Sequence, residues 1–159
     1  MKRPRVGFGY DIHRLAPERR LVLGGLVLEH PTGLVGHSDG DVLSHAVMDA
    51  VLGAAGLGDL GTLFPSDDPT YAGADSLVLL RQVGALVRDA GLQVTSVDAT
   101  VVAESPRIGP HVAAMRRGIA QALGVDQGIV SVKGKTNEGL GPVGSGDAIA
   151  AMAVALVSS

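Results

Sequence analysis

Ala148-Ile-Ala-Ala-Met-Ala-Val-Ala-Leu-Val157 is the longest unbroken apolar run of the chain, and its conformation decides the architecture. It is about half of the roughly 20 residues that a membrane-crossing helix needs. Its alanines favour a helix. Yet Ile149, Ala151, Ala153 and Ala155 alternate with Met152, Val154 and Leu156, which fits a strand buried in a sheet. Periodicity alone leaves both readings open.

Working outward, Gly134–Gly146 holds five glycines and reads as a loop, preceded by a short strand over Ile129–Lys133. Pro110 opens a helix that runs to Leu123 and is closed by Gly124. Val94–Ala103 alternates as a strand. Asp75 or Ser76 caps a helix to Ala90, with Gly91 beyond its end. A Gly- and Pro-rich loop covers Gly56–Gly73. Ser38-Asp39 offers the N-cap of a helix with Val42, Ala46, Val47, Ala50 and Val51 on one face. Leu21–Leu28 reads as a hairpin about Gly24-Gly25. In Arg5–Tyr10, Val6 and Phe8 alternate with Gly7 and Gly9, a strand suited to close backbone packing. With no linker, repeat or low-complexity segment, residues 1–159 form one domain. The expected class is α+β, a mixed β-sheet with helices packed on one face.

The chain has 159 residues and no Cys, which excludes disulfides, thiolate metal sites and thiol nucleophiles. Gly (23) and Pro (8) are plentiful, while 46% of residues are hydrophobic, so the glycines serve tight loops in a folded protein. Met1-Lys-Arg-Pro-Arg leads into alternating residues and not into an apolar leader, so a soluble cytoplasmic protein is expected, without membrane association. Only four aromatics occur. Phe8 and Tyr10 flank Asp11, and Phe64 and Tyr71 flank Asp67-Asp68, as the walls of a site would.

Charge is divided along the chain. Leu21–Leu80 contains no Lys or Arg but holds Glu29, Asp39, Asp41, Asp49, Asp59, Asp67, Asp68 and Asp75. With a net charge of −3, the remainder is net positive. A solvated acidic surface is the plain explanation, and bound metal cations are the alternative that would relieve the repulsion. Arg107, Arg116, Arg117, Lys133 and Lys135 lack the aromatic interleaving of a nucleic-acid platform, so a small anion such as a phosphate suits them better.

Two glycine patterns are set aside. Gly139-Leu-Gly-Pro-Val-Gly144 has too little chain after it for a dinucleotide-binding βαβ unit. Gly134-Lys135-Thr136 lacks the first glycine of a P-loop. Asp11-Ile-His13 is more informative. In extended chain, residues i and i+2 point the same way, so a carboxylate and an imidazole stand side by side at the end of the first strand. His45 lies on a helix with Asp41 one turn before and Asp49 one turn after, a ready-made orienter for a metal-ligating ring. Asp11, His13 and His45 supply three N/O ligands with a position left open, which describes a catalytic zinc site better than a structural one. An Asp–His surface hydrogen bond and a core histidine are the alternatives. His37-Ser38, beside the helix start, suits a phosphate oxygen, or Ser38 simply caps the helix. His30 and His111 read as surface residues.

Asp11-Ile-His13, His37-Ser-Asp-Gly-Asp-Val-Leu-Ser-His45, Gly58-Asp-Leu-Gly61, Leu63-Phe-Pro65 and Lys133-Gly-Lys-Thr-Asn-Glu-Gly-Leu-Gly141 occur in order. Together they closely resemble the 2-C-methyl-D-erythritol 2,4-cyclodiphosphate synthase family of the non-mevalonate isoprenoid pathway, over nearly the whole chain. The resemblance implies a homotrimer with sites between subunits, converting 4-diphosphocytidyl-2-C-methyl-D-erythritol 2-phosphate to the cyclic diphosphate and CMP. It implies one zinc ion per subunit on Asp11, His13 and His45. A second divalent cation, magnesium or manganese, is implied on Glu138, which as a lone Glu among cations otherwise reads as an ion-paired surface residue. His37 and Thr136 are implied to stabilise the transition state, and the last segment to be a strand.

The substrate-facing set implied by the resemblance comprises Asp11, Ile12, His13, His37 and Ser38; Asp59, Leu60 and Gly61; and Phe64, Pro65, Ser66, Asp67 and Asp68. Ala103, Glu104, Ser105, Pro106, Arg107, Ile108 and Gly109 belong to it too, with Lys135, Thr136, Asn137, Glu138, Pro142 and Ser145. Cytidine is implied against Ala103–Gly109 and Gly134–Thr136, and the methylerythritol arm against Asp59–Gly61 and Phe64–Asp68. Ser66 stands where a carboxylate is common in the family, and Lys135 replaces a frequent threonine. Pro142 and Ser145 stand where some members have an aromatic and an arginine near the trimer axis. Two other classes compete: a non-catalytic, metal-stabilised nucleotide-binding module, and a zinc phosphohydrolase. CMP release separates the first from the synthase, and inorganic phosphate or an open-chain product marks the second.

Overall fold

The computed structural model describes residues 3–159, so the first two residues of the N-terminal reading lie outside the described residues. The chain runs through a long strand β1 (Arg5–Pro17), a hairpin of β2 (Leu21–Leu23) and β3 (Leu26–Leu28), and a short β4 (Thr32–Leu34). Helix α1 (Val42–Ala55), a single turn α2 (Leu60–Leu63) and helix α3 (Ser76–Asp89) follow. The second half is β5 (Gln93–Val102), α4 (Val112–Leu123), β6 (Val130–Lys135), a short α5 (Gly141–Gly144) and β7 (Ala148–Ser158).

The ambiguous C-terminal run is thus a strand, and it is the middle strand of a five-stranded sheet ordered β4-β1-β7-β5-β6. It pairs antiparallel with β1 and with β5, while β5 and β6 are parallel, so the sheet is mixed. Hydrogen bonding on both edges and burial override the helix propensity of alanine here. The small side chains also have a use. Ile149, Ala151, Ala153 and Ala155 form part of the main core, the same core into which α1 is packed.

Gly7 and Gly9 let α1 approach β1 backbone to backbone. A Cβ on Gly7 would stand 2.0 Å from the Ala50 carbonyl oxygen, and one on Gly9 1.9 Å from that of Ala46. Helices α3 and α4 extend the same layer. The opposite sheet face is open: Val6, Phe8, Tyr10 and Ile12 of β1 and Val154 and Leu156 of β7 are exposed, Phe8 by 63%. The α+β class with helices on one face is therefore as the sequence indicates.

Several local expectations are corrected. The cap of α1 is Asp41, and neither Ser38 nor Asp39. Its buried carboxylate accepts from Ser44 N–H and hydroxyl and from the N–H groups of Gly24 and Gly25, tying the hairpin turn to the helix start. Both turn glycines have positive φ, 59° and 76°, as a two-residue hairpin turn demands. Strand β1 continues through Asp11 and His13 to Pro17 and does not end near Asp11. Gly109–His111 is a 3₁₀ turn before α4. The two long loops each carry short helices: Asp59 and Asp68 cap single turns in the first, and Pro142 stands in the opening turn of α5 in the second. No helix among the described residues is long and apolar enough to cross a membrane.

Candidate functional site

The pleat of β1 places Asp11 and His13 on the face where Gly7 and Gly9 admit α1, and α1 brings His45 to them. Asp11 Oδ2 lies 2.7 Å from His13 Nε2 and 2.9 Å from His45 Nδ1, and these two nitrogens are 3.4 Å apart. The three donor atoms lie within 4.8 Å of one another, a set that could hold a metal ion. Tetrahedral zinc with nitrogen ligands at about 2.0–2.1 Å sets them about 3.3–3.4 Å apart, so the two rings are already spaced for it.

The outer hydrogen bonds agree with that reading. His13 Nδ1 faces the Val35 carbonyl oxygen, which can only accept, so Nδ1 donates and Nε2 is the nitrogen that could give a lone pair to an ion at the centre. Burial alone would raise the Asp11 carboxyl, but hydrogen bonds from His13 and His45 override it and hold Asp11 well below the usual carboxylate range. Burial opposes charge on His13 as well, and the Asp11 partner outweighs it, raising that ring above the ordinary histidine value. A cation at this point would take the place of those protons.

The orienters of His45 are not those read from helix spacing. Asp41 is bound to the hairpin turn, and Asp49 accepts from Leu60 N–H at 2.7 Å. His45 Nε2 instead meets Ser38 Oγ at 3.0 Å and Ser76 Oγ at 3.1 Å. Ser76 and its partner Asp39 come from residues far apart along the chain, and no spacing rule signals them.

The acidic stretch also proves to be built differently. Asp39, Asp41, Asp49, Asp59, Asp68 and Asp75 all accept from backbone N–H groups. Peptide N–H groups thus answer part of that charge. Asp59 and Asp68 are lowered by their bonds from Thr62 and Thr70, while burial raises Asp41 and Asp49.

The triad lies on the wall of a cleft of about 380 Å³ shared with His37, Ser38, Leu60, Gly61, Phe64, Pro65, Ser66, Tyr71 and Leu79. Phe64 and Tyr71 meet edge to face, with centroids 5.2 Å apart. These two aromatics are walls, as expected. Phe8 and Tyr10 are not, since they stand on the open sheet face. His37 Nε2 donates to the Asp68 carbonyl at 2.8 Å, joining the helix approach to the facing loop. The side chains of Asp59 and Asp68 cap turns, and Asp67 is exposed. Ile12 points away from the triad, into a groove with Arg14, Pro142, Asp147 and Ala148.

A second cleft of about 350 Å³ is lined by Ala103, Glu104, Pro106, Arg107, Ile108, Gly109, Pro110, Gly134, Lys135 and Thr136. Glu104 accepts from Asn137 N–H at 2.7 Å, and Asn137 Nδ2 donates to the Leu140 carbonyl, so these side chains shape the loop. Ser145 Oγ donates to the Asp147 carboxylate at 2.6 Å, with the Pro142 carbonyl at 3.2 Å. Lys133 pairs with Asp98, and Arg116 donates to the carbonyls of Val130 and Gln127. That leaves Arg107 and Lys135 as the cations lining the cleft. Glu138 is exposed at φ 52°, and its carboxylate meets only the Thr136 hydroxyl, at 3.3 Å, among the described residues. It is therefore not the ion-paired surface residue of the plain reading. The two clefts share no lining residue. β1 and β6 stand three strand spacings apart in the sheet, about 14 Å.

A profile of the YgbB family matches residues 4–158. The 2-C-methyl-D-erythritol 2,4-cyclodiphosphate synthase of Thermosynechococcus vestitus is 57% identical over 159 residues, covering 100% of this chain and 99% of that one. The bifunctional IspDF structure from Campylobacter jejuni superposes with a TM-score of 0.95 at 37% identity, over 99% of this chain and 43% of that one. IspF of Plasmodium falciparum in complex with CDP gives a TM-score of 0.85 at 36% identity, over 97% of this chain and 95% of that one.

Proposed function

Because the chain belongs to the YgbB family, and matches its 2-C-methyl-D-erythritol 2,4-cyclodiphosphate synthases end to end, we propose that it cyclises 4-diphosphocytidyl-2-C-methyl-D-erythritol 2-phosphate. An oxygen of the 2-phosphate attacks the β-phosphorus, the bond from that phosphorus to the α–β bridging oxygen breaks, and CMP leaves. The observation that carries this reading is the donor triad opening into a cleft walled by His37 and the Leu60–Ser66 loop.

Asp11, His13 and His45 would hold zinc, and Glu138 a second divalent ion such as magnesium or manganese. When bound, such ions supply positive charge to the diphosphate oxygens and to the departing CMP. The protein positions the rest. His37, pinned through Nε2 to the Asp68 carbonyl, lines the cleft beside the triad and would stabilise charge developing on a phosphate oxygen. The Phe64–Asp68 loop and Asp59–Gly61 receive the methylerythritol arm. Arg107, Lys135 and Thr136 line the cleft that receives the cytidine diphosphate end, with Thr136 donating to the phosphate that becomes CMP. No protein nucleophile is needed, because the attacking oxygen belongs to the substrate. Holding it in line with the leaving group is the main contribution of the protein.

The protein acts in this reading as a cytoplasmic homotrimer. One chain carries both half-sites, in separate clefts, and the open face of the sheet offers Val6, Phe8 and Leu156 for burial between subunits. The triad cleft of one subunit then faces the nucleotide cleft of its neighbour.

The direct test is incubation with the substrate and magnesium, followed by CMP release and phosphorus NMR. Stoichiometric CMP and cyclic diphosphate are expected. Inorganic phosphate or an open-chain product indicates a phosphohydrolase instead, and binding without turnover a nucleotide-binding module.

A further inference from the structure

His45 presents two nitrogens, and only one protonation pattern lets Nδ1 act as a donor atom: Nε2 must carry the proton. The surroundings of Nε2 are the hydroxyls of Ser38, at 3.0 Å, and Ser76, at 3.1 Å. A hydroxyl can donate or accept, so taken alone neither fixes the ring. Ser76 is not free to choose. It is fully buried at the first position of α3, and both its backbone N–H and its hydroxyl face the Asp39 carboxylate, the N–H at 3.0 Å. An ionised carboxylate can only accept, so the single Ser76 hydroxyl proton goes to Asp39 Oδ1. Ser76 Oγ then turns a lone pair to His45 Nε2. An unprotonated Nε2 would face that lone pair across 3.1 Å without a proton between them. A protonated Nε2 satisfies every member of the chain.

Asp39 itself is tied in place. Its Oδ1 accepts from Asp41 N–H at 3.1 Å, and its own N–H donates to the Ala74 carbonyl at 3.0 Å. The bracing therefore links the segment before α1 to the start of α3, with His45 between.

We propose that Asp39 and Ser76 are positioning residues that fix the tautomer of His45, keeping the proton on Nε2 and the Nδ1 lone pair on the Asp11 and His13 centre. Ser38 is a secondary contact that follows this choice, because its hydroxyl has no carboxylate to commit it. The inference rests on the metal-binding role of the triad in the proposed function.

Zinc itself is the probe. Chelator competition gives the zinc dissociation constant of the wild-type protein, Ser76→Ala, Asp39→Asn and Ser38→Ala, and proton–nitrogen NMR of the zinc-loaded protein reports the His45 Nε2–H. Loss of such an orienting partner typically weakens metal binding by about 10- to 100-fold. Ser76→Ala is expected to weaken zinc binding at least about tenfold, with Ser38→Ala less affected. The Nε2–H resonance is expected downfield and slowly exchanging in wild type, and shifted upfield with faster exchange in Ser76→Ala. Thermal unfolding of the zinc-free Ser76→Ala protein should remain one cooperative transition, lowered only modestly by the lost hydroxyl bond to Asp39. An unchanged zinc constant and an unchanged Nε2–H signal in Ser76→Ala overturn the proposal, as does a larger zinc loss in Ser38→Ala. Should Ser76→Ala not fold, the wild-type Nε2–H decides: a fast-exchanging signal at an unbonded position overturns the proposal. A wild-type protein that binds no zinc overturns the functional reading and this one together, whereas intact wild-type binding with indifferent variants overturns this one alone.

Discussion

The two clefts of the chain are built on opposite plans. Around the triad, the two ring nitrogens of His13 and of His45 each have a partner, and Asp41, Asp49 and Asp39 hold the turns behind them. At the other cleft, Arg107 and Lys135, with Glu138 beside the lining residue Thr136, form no ion pair among the described residues. A site that must hold a small, strongly polarising ion gains from donors fixed in advance. A site for a flexible nucleotide diphosphate gains from charges left available to it. The contrast fits one chain carrying two halves of different sites, each completed by a neighbour.

The largest effect expected from breaking the braced half is that of His45→Ala. Two ligands remain, dialysed protein should contain essentially no zinc by metal analysis, and turnover should fall by about three orders of magnitude or more. On the open half, Glu138→Gln should leave zinc content and folding intact. Its turnover should drop by about a hundredfold, and the residual rate should need much more magnesium to saturate. A wild-type rate with wild-type magnesium dependence contradicts the role given to Glu138.

Stability should separate the halves too. Asp41→Ala leaves the N–H groups of Gly24, Gly25 and Ser44 without their acceptor and should cost on the order of 3 kcal/mol in denaturant unfolding. Glu104→Gln keeps an acceptor for Asn137 N–H and should cost less than about 0.5 kcal/mol. Equal losses would erase the distinction.

The smallest effect concerns pH. His13 is raised in the metal-free protein, so it stays protonated to higher pH than an ordinary histidine. Its proton then competes with zinc up to a higher pH than that of an ordinary histidine would, and zinc affinity should rise as pH rises through its raised value. Below the raised value, affinity should fall by about tenfold per pH unit while one proton is displaced. Chelator competition across that range measures the slope, and a flat profile rules out His13 as a ligand.

Some of this was legible in the sequence for physical reasons. The pairing of Asp11 with His13 follows from strand pleat, and Gly7 and Gly9 announce a close backbone approach. The hairpin at Gly24-Gly25 follows from φ alone. Helix ends at Gly56, Gly91 and Gly124 are equally local. The strand at Ala148–Ser158 was not fixed locally, because alanine acquires strand character there only by lying between β1 and β5. Long-range partners were hidden for the same reason. Asp41 and Asp49 have the spacing of orienters for His45, yet the hairpin turn and Leu60 take their carboxylates first. Ser76, thirty-one residues after His45, is the actual contact. Phe8 and Tyr10 neighbour Asp11 in sequence but stand on the far side of the sheet, since successive residues of a strand alternate faces.

The central claim is that the triad of one subunit works with the nucleotide cleft of another, and subunit mixing tests it most directly. His13→Ala and Thr136→Ala each disable a different half. After demonstrated exchange of subunits in equal amounts, about a quarter of the sites in a cyclic assembly should carry both intact halves, and activity should return toward that fraction. Activity that stays at the level of the separate variants places both halves in the same chain and contradicts the account.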